Sequence, residues 1–257
     1  MNIDAYLARI DYAGPRTPTA ATLAALQQAH LYAVPFENLD IGRGVALSLE
    51  PAALFAKVVT QRRGGFCYEL NGLFARLLRA LGYDVTLLAA GVARATGGFG
   101  PEFDHMTLLV RAPLGVAGPW LVDVGFGDSF GLPLRLEANV VQTQGGRSYR
   151  LDQAAEHWTL YERLAADAAW EPQYRFTLAS HDFGEYDEMC YYHQTSPDSS
   201  FTRRRICSRA TPTGRITLSD ARLIITVGSE RTEQALPDAA TVAQVLREHF
   251  GIALGDD

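Results

Sequence analysis

The amino-acid sequence predicts an α+β fold that is built in three parts. Apolar residues of the first third recur at the three- to four-residue spacing of amphipathic helices. The middle third changes to short runs rich in Val, Leu and Thr, separated by loops that carry glycine and proline, as in proteins with many short strands. The last third mixes both patterns. We therefore expect a helical bundle at 1–84, an antiparallel β-barrel at 85–180 and an α/β region at 181–257.

The helical third is predicted to contain three helices. Thr17-Pro18 has the form of an N-cap followed by proline at the first helical position, and an apolar stripe follows it. The same arrangement repeats over 48–60. Gly64-Gly65 stops that helix, and a third one with a broad apolar face starts directly afterwards and ends at Gly82. Cys67 is therefore expected on the first turn of a buried helix.

The later elements follow from the same patterns. In the middle third we expect strands at 85–94, 105–112, 119–126, 149–151, 157–164 and 174–178. In the last third we expect a helix at 185–192, strands at 215–218 and 223–227, and a final helix at 237–250.

Composition narrows the class of protein. The chain has 257 residues, of which 47% are apolar, so it can bury a large core. Its net charge of −6 and its short basic runs, 62–63 and 203–205, argue against a nucleic-acid partner. The longest apolar stretches fall far short of the roughly 20 residues that a membrane-spanning helix needs. Since no signal-peptide pattern is present either, we expect a cytoplasmic protein with reduced thiols and no membrane partner.

Cys67 is the best candidate for a nucleophile among the three cysteines. Unpaired N–H groups and the positive end of the helix dipole at a helix N-terminus stabilise a thiolate over a thiol. Gly64-Gly65 lets the chain turn sharply and leaves backbone amides free for a developing oxyanion. A buried cysteine taken alone is more often a small apolar residue, so the case for Cys67 depends on its partners.

His105 and Asp123 are the predicted partners. His105 opens a predicted strand, and Asp123 lies inside an apolar run at 120–127. A carboxylate buried in such a strand costs several kcal/mol, by order of magnitude, unless a polar or charged group meets it. An imidazole that Asp123 holds by one nitrogen, with the other nitrogen facing Cys67, would complete a Cys-His-Asp triad.

The residues around this triad resemble a known family. Residues 62–71 read RRGGFCYELN and resemble the active-site signature of the arylamine N-acetyltransferases. Further similarities follow in family order, with PFENL at 35–39, HM at 105–106, VDVGFG at 122–127 and TSPDSSF at 195–201. The resemblance covers nearly the whole chain. It implies a helical bundle with the cysteine, a barrel with the histidine and the aspartate, and a C-terminal α/β lid, on a core like that of cysteine proteases and transglutaminases.

The resemblance also implies the activity. It implies acetyl transfer from acetyl-CoA to a small aromatic amine or hydrazine, by a ping-pong mechanism through acetyl-Cys67, with roles in xenobiotic metabolism. Acetyl-CoA is then a co-substrate, and no bound cofactor or metal is expected. By resemblance, Cys67 is the nucleophile, His105 the base and Asp123 the orienting carboxylate. The aromatic residues that match the family's substrate slot are Phe36, Phe126 and Phe201.

Several secondary expectations accompany these assignments. We expect Arg94 or the arginines of 203–205 to meet the phosphates of CoA. Arg63 and Glu69 are expected to pair and brace the active-site helix. Cys190 and His193 have a spacing that metals use, but no fourth ligand is evident, so we expect a structural Cys190 and a His193 on the helix surface.

Three alternative functions share these residues. An amide synthase of the same family would close macrolactams from a polyketide acyl chain. A hydrolase or transamidase of the papain or transglutaminase type would use the same triad. A catalytically silent binding protein ranks last, because all three triad positions are intact.

Overall fold

The computed structural model describes residues 1–113 and 118–254, which contain both helices and antiparallel sheets. The helices are α1 (Ile3–Arg9), α2 (Ala20–Ala33), α3 (Leu39–Gly42), α4 (Pro51–Phe55), α5 (Cys67–Ala80), α6 (Asp187–Thr195), α7 (Ser200–Arg203) and α8 (Ala239–Phe250). The strands are β1 (Phe36–Glu37), β2 (Asp84–Val92), β3 (His105–Arg111), β4 (Trp120–Val122), β5 (Leu134–Arg135), β6 (Val141–Gln144), β7 (Arg147–Ala154), β8 (His157–Arg163), β9 (Glu171–Phe176), β10 (Ile206–Thr211), β11 (Gly214–Ser219), β12 (Arg222–Val227) and β13 (Glu230–Ala235). A π-helical turn at Ala56–Thr60 continues α4, and a 3₁₀ turn at Phe183–Tyr186 precedes α6.

The central sheet is a nearly closed barrel of eight strands in the order β5-β4-β3-β2-β9-β8-β7-β6. Glutamine side chains join its two edge strands. The amide of Gln142 accepts the Arg135 N–H at 2.8 Å and donates to the Arg135 carbonyl at 2.9 Å. Gln144 makes the same pair of bonds to Leu132, both at 2.8 Å. Side chains thus satisfy some of the backbone N–H and C=O groups at the two edges, so fewer of these groups stay unpaired than in an open sheet. The mixed α+β class and the predicted barrel are confirmed.

Strands β2 and β3 separate two apolar cores. Alternate residues such as Leu87 and Leu108 pack towards α5, whereas Leu88 and Leu109 face the interior of the barrel. Because both faces of these strands are covered, β3 is apolar along most of its length instead of alternating. This arrangement presses α5, which begins at Cys67, against the sheet that carries His105.

A second sheet of five strands follows the order β1-β10-β11-β12-β13, with α8 packed on it. Its first strand, β1, comes from the N-terminal third and pairs with β10. The boundaries at 84/85 and 180/181 stay a prediction, and the last three residues of the predicted C-terminal region, 255–257, lie outside the described residues. Among the described residues, no helix combines the length and the apolar character that crossing a membrane requires.

Several predicted element boundaries differ from those of the structure by two residues or more, and two of these differences have a clear physical cause. Helix α2 starts after Thr19, not at Thr17-Pro18, because the Thr19 hydroxyl accepts the Thr22 N–H and caps the helix. The strand predicted at 119–126 ends at Val122, so Asp123 follows the strand instead of lying within it. Beyond Asp123, side chains take the backbone donors that a longer strand would use: Asn71 accepts the Val124 N–H and Asp123 accepts the Gly125 N–H, each at 2.9 Å.

Candidate active site

Cys67 begins α5 in a close-packed environment. The glycines around it are required by space and not by backbone conformation, since neither Gly64 nor Gly65 has a positive φ. A Cβ on Gly64 would lie 2.0 Å from the Pro35 carbonyl oxygen, and one on Gly125 would lie 2.8 Å from the Cys67 Cα. The expectation that the Gly64-Gly65 amides stay free was wrong for Gly65, whose N–H donates to the Pro35 carbonyl at 3.4 Å.

The burial of Cys67 controls its ionisation. The residue is only 3% exposed, and this burial raises the pKa of its thiol well above the usual value. The nearby backbone N–H groups of Met106 and Tyr68 favour the thiolate and act in the opposite direction on the pKa. A thiolate therefore needs a cationic partner in the same cavity, in addition to the helix N-terminus that the sequence argument invoked.

His105 and Asp123 meet at the end of the barrel. His105 Nε2 and Asp123 Oδ2 are 2.6 Å apart, and both side chains are buried. Burial alone would raise the pKa of Asp123, but His105 and hydrogen bonds from Asn71 and Gly125 outweigh it and hold that pKa below its usual value. Asp123 is therefore a carboxylate at neutral pH. Since Nε2 is engaged, Nδ1 is the imidazole nitrogen left for chemistry in the cavity.

Two residues that the sequence did not single out hold this pair. Asn71 donates from Nδ2 to Asp123 Oδ1 at 2.9 Å and to the Met106 carbonyl at 2.6 Å. Asn71 lies four residues after Cys67, on the same helix face, and that spacing could have indicated it. Tyr174 lies beside them, and its burial and the nearby Asp123 carboxylate raise the pKa of its hydroxyl. Its ring forms a triangle with Phe126 and His105, with all three centroid distances at 5.1 Å.

Cys67 and His105 line one cavity of about 340 Å³. This volume lies within the range of small-molecule sites. The three aromatic residues predicted from the family pattern, Phe36, Phe126 and Phe201, all contribute to its wall. The ring centroids of Phe36 and Phe201 are 6.2 Å apart. The structure thus brings Cys67, His105 and the three phenylalanines to one cavity, with Asp123 behind His105.

A cluster of buried charged residues packs at the N-terminal end of α5. Arg63 pairs with Glu37 and Asp40, each at 2.8 Å, and Lys57 pairs with Asp40 and Glu69, each at 2.8 Å. The predicted Arg63–Glu69 pair was therefore wrong. Glu69 instead accepts the Phe66 N–H at 3.1 Å, which caps the first turn of α5 directly before Cys67. Lys57, the only lysine of the chain, lies at the centre of this charge cluster.

The remaining predicted residues divide between the cavity and the surface. His193 was expected on a helix surface, but it is 5% exposed and lines the cavity, because α6 turns this face towards Tyr68 and Phe201. Among the arginines proposed for CoA, Arg204 lines the cavity. Within the described parts of the chain, no group of three or more His, Cys, Asp or Glu side chains is arranged to hold a metal ion.

Comparisons with known proteins agree with this geometry. A family model described as N-acetyltransferase matches residues 19–257. The arylamine N-acetyltransferase of Mycolicibacterium smegmatis is 36% identical over 100% of this chain and 94% of its own. The Mycobacterium marinum arylamine N-acetyltransferase in complex with CoA superposes with a TM-score of 0.90 at 35% identity, covering 98% of this chain and 93% of that one.

One relative has a different name. The proansamycin X synthase of Amycolatopsis mediterranei is 33% identical over 97% of this chain and 98% of its own length. The similarity therefore extends along the whole chain to both kinds of protein. On the matching family model and the full-length relatives, this chain belongs to the arylamine N-acetyltransferase family of acyltransferase enzymes.

Proposed function

We propose that this protein transfers an acetyl group from acetyl-CoA to arylamines and arylhydrazines through an acetyl-Cys67 intermediate. The observation that carries the proposal is the shared cavity of Cys67 and His105, with His105 held 2.6 Å from the buried Asp123 carboxylate. A nucleophile, a base and an orienting carboxylate in this order are the components of nucleophilic acyl transfer.

The first half-reaction acylates Cys67. His105 Nδ1 takes the thiol proton, and the resulting imidazolium compensates the thiolate that burial disfavours. The sulfur attacks the thioester carbonyl, a tetrahedral oxyanion forms, and the carbon–sulfur bond to CoA breaks. The departing CoA thiolate takes the proton from His105, which leaves neutral imidazole and acetyl-Cys67.

The second half-reaction discharges the enzyme. The amine nitrogen attacks the acetyl carbonyl, His105 Nδ1 takes a proton from that nitrogen, and the Cys67 sulfur leaves as thiolate. Aromatic amines are weak bases and are neutral at pH 7, so they can enter a cavity with apolar walls without first losing a proton. Phe36, Phe126 and Phe201 supply those walls and are the proposed acceptor contacts.

The similarity to an arylamine N-acetyltransferase in complex with CoA supports acetyl-CoA as the donor. Arg204 is the best candidate for a contact with the phosphates, because it is exposed and lies at the wall of the cavity. CoA enters from solvent, so its anionic end is expected at such an exposed cation.

The family's amide synthases remain a second candidate, which the similarity to proansamycin X synthase favours specifically. Both activities begin with an acyl-cysteine, and they differ in the acyl group and the amine. A macrolactam synthase would load a long acyl chain and would form the amide within one molecule.

A steady-state assay separates these candidates. The wild-type protein and Cys67→Ala are mixed with acetyl-CoA and a panel of arylamines, and both CoA release and N-acetylated product are followed. We expect amine-dependent CoA release and equal product from the wild type only. A folded wild-type protein that releases no CoA would exclude the acetyltransferase and favour the synthase with another donor. Continued CoA release beyond one equivalent per enzyme without any amine would indicate a hydrolase.

A further inference from the structure

Two polar side chains in the cavity wall have no part in the mechanism above. His193 lies on α6, and Asp104 directly precedes His105 at the start of β3; both contribute to the same cavity as Cys67. The side chain of His193 is 7% exposed and that of Asp104 is 20% exposed. An imidazole and a carboxylate at such depth need partners, because buried polar groups are almost always hydrogen-bonded.

Contacts with neighbouring residues fix the orientation of the His193 ring. Its Nδ1 lies 3.2 Å from the hydroxyl oxygen of Ser199. That oxygen also accepts the Phe201 N–H, and its own hydrogen can be donated to Nδ1. We place the ring hydrogen on Nε2, because the Asp104 carboxylate lies 3.3 Å from Nε2 and attracts an N–H at that position. The ring is also held between Tyr68, which stacks on it, and Phe201, which meets it edge to face, so Nε2–H has a fixed direction.

His193 Nε2 and the Asp104 carboxylate, which face each other, have unused hydrogen-bonding capacity. His193 Nε2 makes no hydrogen bond to any group in the described parts of the chain. Asp104 Oδ1 lies 3.3 Å from it, which is close enough for attraction, but the angle is not that of a hydrogen bond. Within residues 1–113 and 118–254, Asp104 Oδ2 accepts a single hydrogen bond, a long one from the Val92 N–H at 3.3 Å. A donor and an acceptor with spare capacity thus lie side by side in the cavity wall.

We propose that Asp104 and His193 form a subsite that recognises a hydroxyl group on the ring of the acceptor. A hydroxyl is the smallest group that accepts one hydrogen bond and donates another, so it can accept from His193 Nε2–H and donate to Asp104 at once. A methyl group of the same size would leave both protein groups unpaired. This proposal rests on the proposed acetyltransferase function and names its acceptors: hydroxylated aromatic amines such as aminophenols.

A hydroxyl could also come from the pantetheine arm of CoA. The acceptor is favoured because Asp104 is the chain neighbour of His105, the base that must touch the attacking amine. A ring whose amine lies at His105 extends along the wall that Asp104 and His193 form. The two half-reactions distinguish these sources, because only the second one involves the acceptor.

The test compares 4-aminophenol with 4-methylaniline, which replaces the hydroxyl by a methyl group of similar size. Preformed acetyl-Cys67 enzyme is mixed with each amine, and the rate constant of discharge per concentration of amine is measured. We expect the wild type to prefer the aminophenol by about tenfold or more. In His193→Leu and Asp104→Leu the preference should fall to within about threefold of unity, mainly through loss of the aminophenol rate. His157→Leu, on β8 outside the cavity, is the matched control and should keep the wild-type preference.

Three results would overturn the subsite. One is a wild-type enzyme that discharges equally with both amines, a result that needs no variant to fold. Another is a preference that survives both substitutions in folded protein, as judged by thermal unfolding. The third is an effect confined to the acylation half-reaction, which would assign the pair to CoA. Absence of acetyl-Cys67 from the wild type would be a different failure, that of the proposed function itself.

Discussion

The orientation of His105 depends on how Asp123 distributes its two oxygens. Oδ2 faces His105 Nε2, whereas Oδ1 accepts from Asn71 Nδ2 and from the Gly125 N–H. The carboxylate is fixed from three sides, so the imidazole cannot rotate without breaking a buried, charge-assisted contact. In the proposed mechanism, this rigid hold keeps Nδ1 in place for both half-reactions.

Asp123→Asn tests this role. The amide keeps the size of the side chain but removes the negative charge, so it no longer stabilises an imidazolium and can hold the ring in the wrong tautomer. We expect the rate of Cys67 acetylation to fall by at least about a hundredfold, with the protein still folded. A rate within about threefold of the wild type would show that the carboxylate is not needed.

The same variant has a predicted signature in acid. The pKa of Asp123 is lowered in the folded protein, so its charge contributes stability above the unfolded-state value of about 3.9, and that contribution is lost as the pH falls from there through the lower folded pKa. The difference in unfolding free energy between wild type and Asp123→Asn should therefore shrink towards acid. Urea titrations at several pH values measure it, and a constant difference would contradict the lowered pKa.

The residue-scale features were predictable in part. A carboxylate next to an apolar strand needs a partner, and this physical necessity led from Asp123 to His105. Asn71 and Tyr174 were not identified, because an amide on a helix and a tyrosine in a strand have many ordinary uses. His193 was predicted on the helix surface but is buried. Its burial depends on how α6 packs against the rest of the protein, and the local sequence carries no information about that packing.

At the scale of elements, α5 rests on ion pairs that come from three segments. Lys57 belongs to the π-helical turn after α4, Asp40 to α3 and Glu69 to α5 itself. Burial alone would lower the pKa of Lys57, but Glu69, Glu37 and Asp40 raise it, so the ammonium stays charged. Because Glu69 also caps the helix before Cys67, Lys57 connects the stability of this cluster to the position of the proposed nucleophile.

Lys57→Met should be strongly destabilising. It leaves the carboxylates of Asp40 and Glu69 buried without this cation, and breaking a buried ion pair costs about 3–5 kcal/mol. Urea unfolding measures the loss. Arg76→Met, which removes an exposed cation of α5, is the control and should cost less than about 0.5 kcal/mol. Equal, small losses for both variants would mean that solvent screens the buried cluster.

Element types were easier to predict than their contacts. The apolar spacing of α5 and α8 and the runs of Leu, Val and Thr in β2 and β3 carry enough local signal. Strand β1 does not, because two residues have no period and its pairing with β10 is decided by a partner some 170 positions away in the chain. The ion partners of Arg63 and Lys57 were missed for the same reason.

At the scale of the molecule, the barrel has an imperfect seam between β5 and β6. Backbone pairing stops there, and Gln142 and Gln144 replace it with four side-chain bonds. Strands β2 to β4 belong to the same sheet, and they carry His105 and lead into Asp123. We therefore expect the seam to affect how rigidly the sheet holds these two residues.

Gln142→Leu should loosen the seam locally. It removes two exposed bonds to Arg135, for a loss of about 1 kcal/mol in unfolding free energy. The sharper readout is hydrogen exchange of the Arg135 amide, which should become faster while amides of β7 and β8 are unchanged. Gln153→Leu, an exposed glutamine on β7, is the control. Unaltered exchange at Arg135 would show that the glutamine does not close the barrel.

The central claim is that Cys67 carries the acetyl group, and intact-protein mass spectrometry tests it most directly. Wild type and Cys67→Ala are mixed briefly with acetyl-CoA, and the site of any adduct is found by peptide mapping. The account predicts one acetyl group on Cys67, none on the variant, and discharge that is fast with an arylamine and slow with water. CoA release by a folded protein without an acetyl-Cys67 adduct under any quench condition would contradict it.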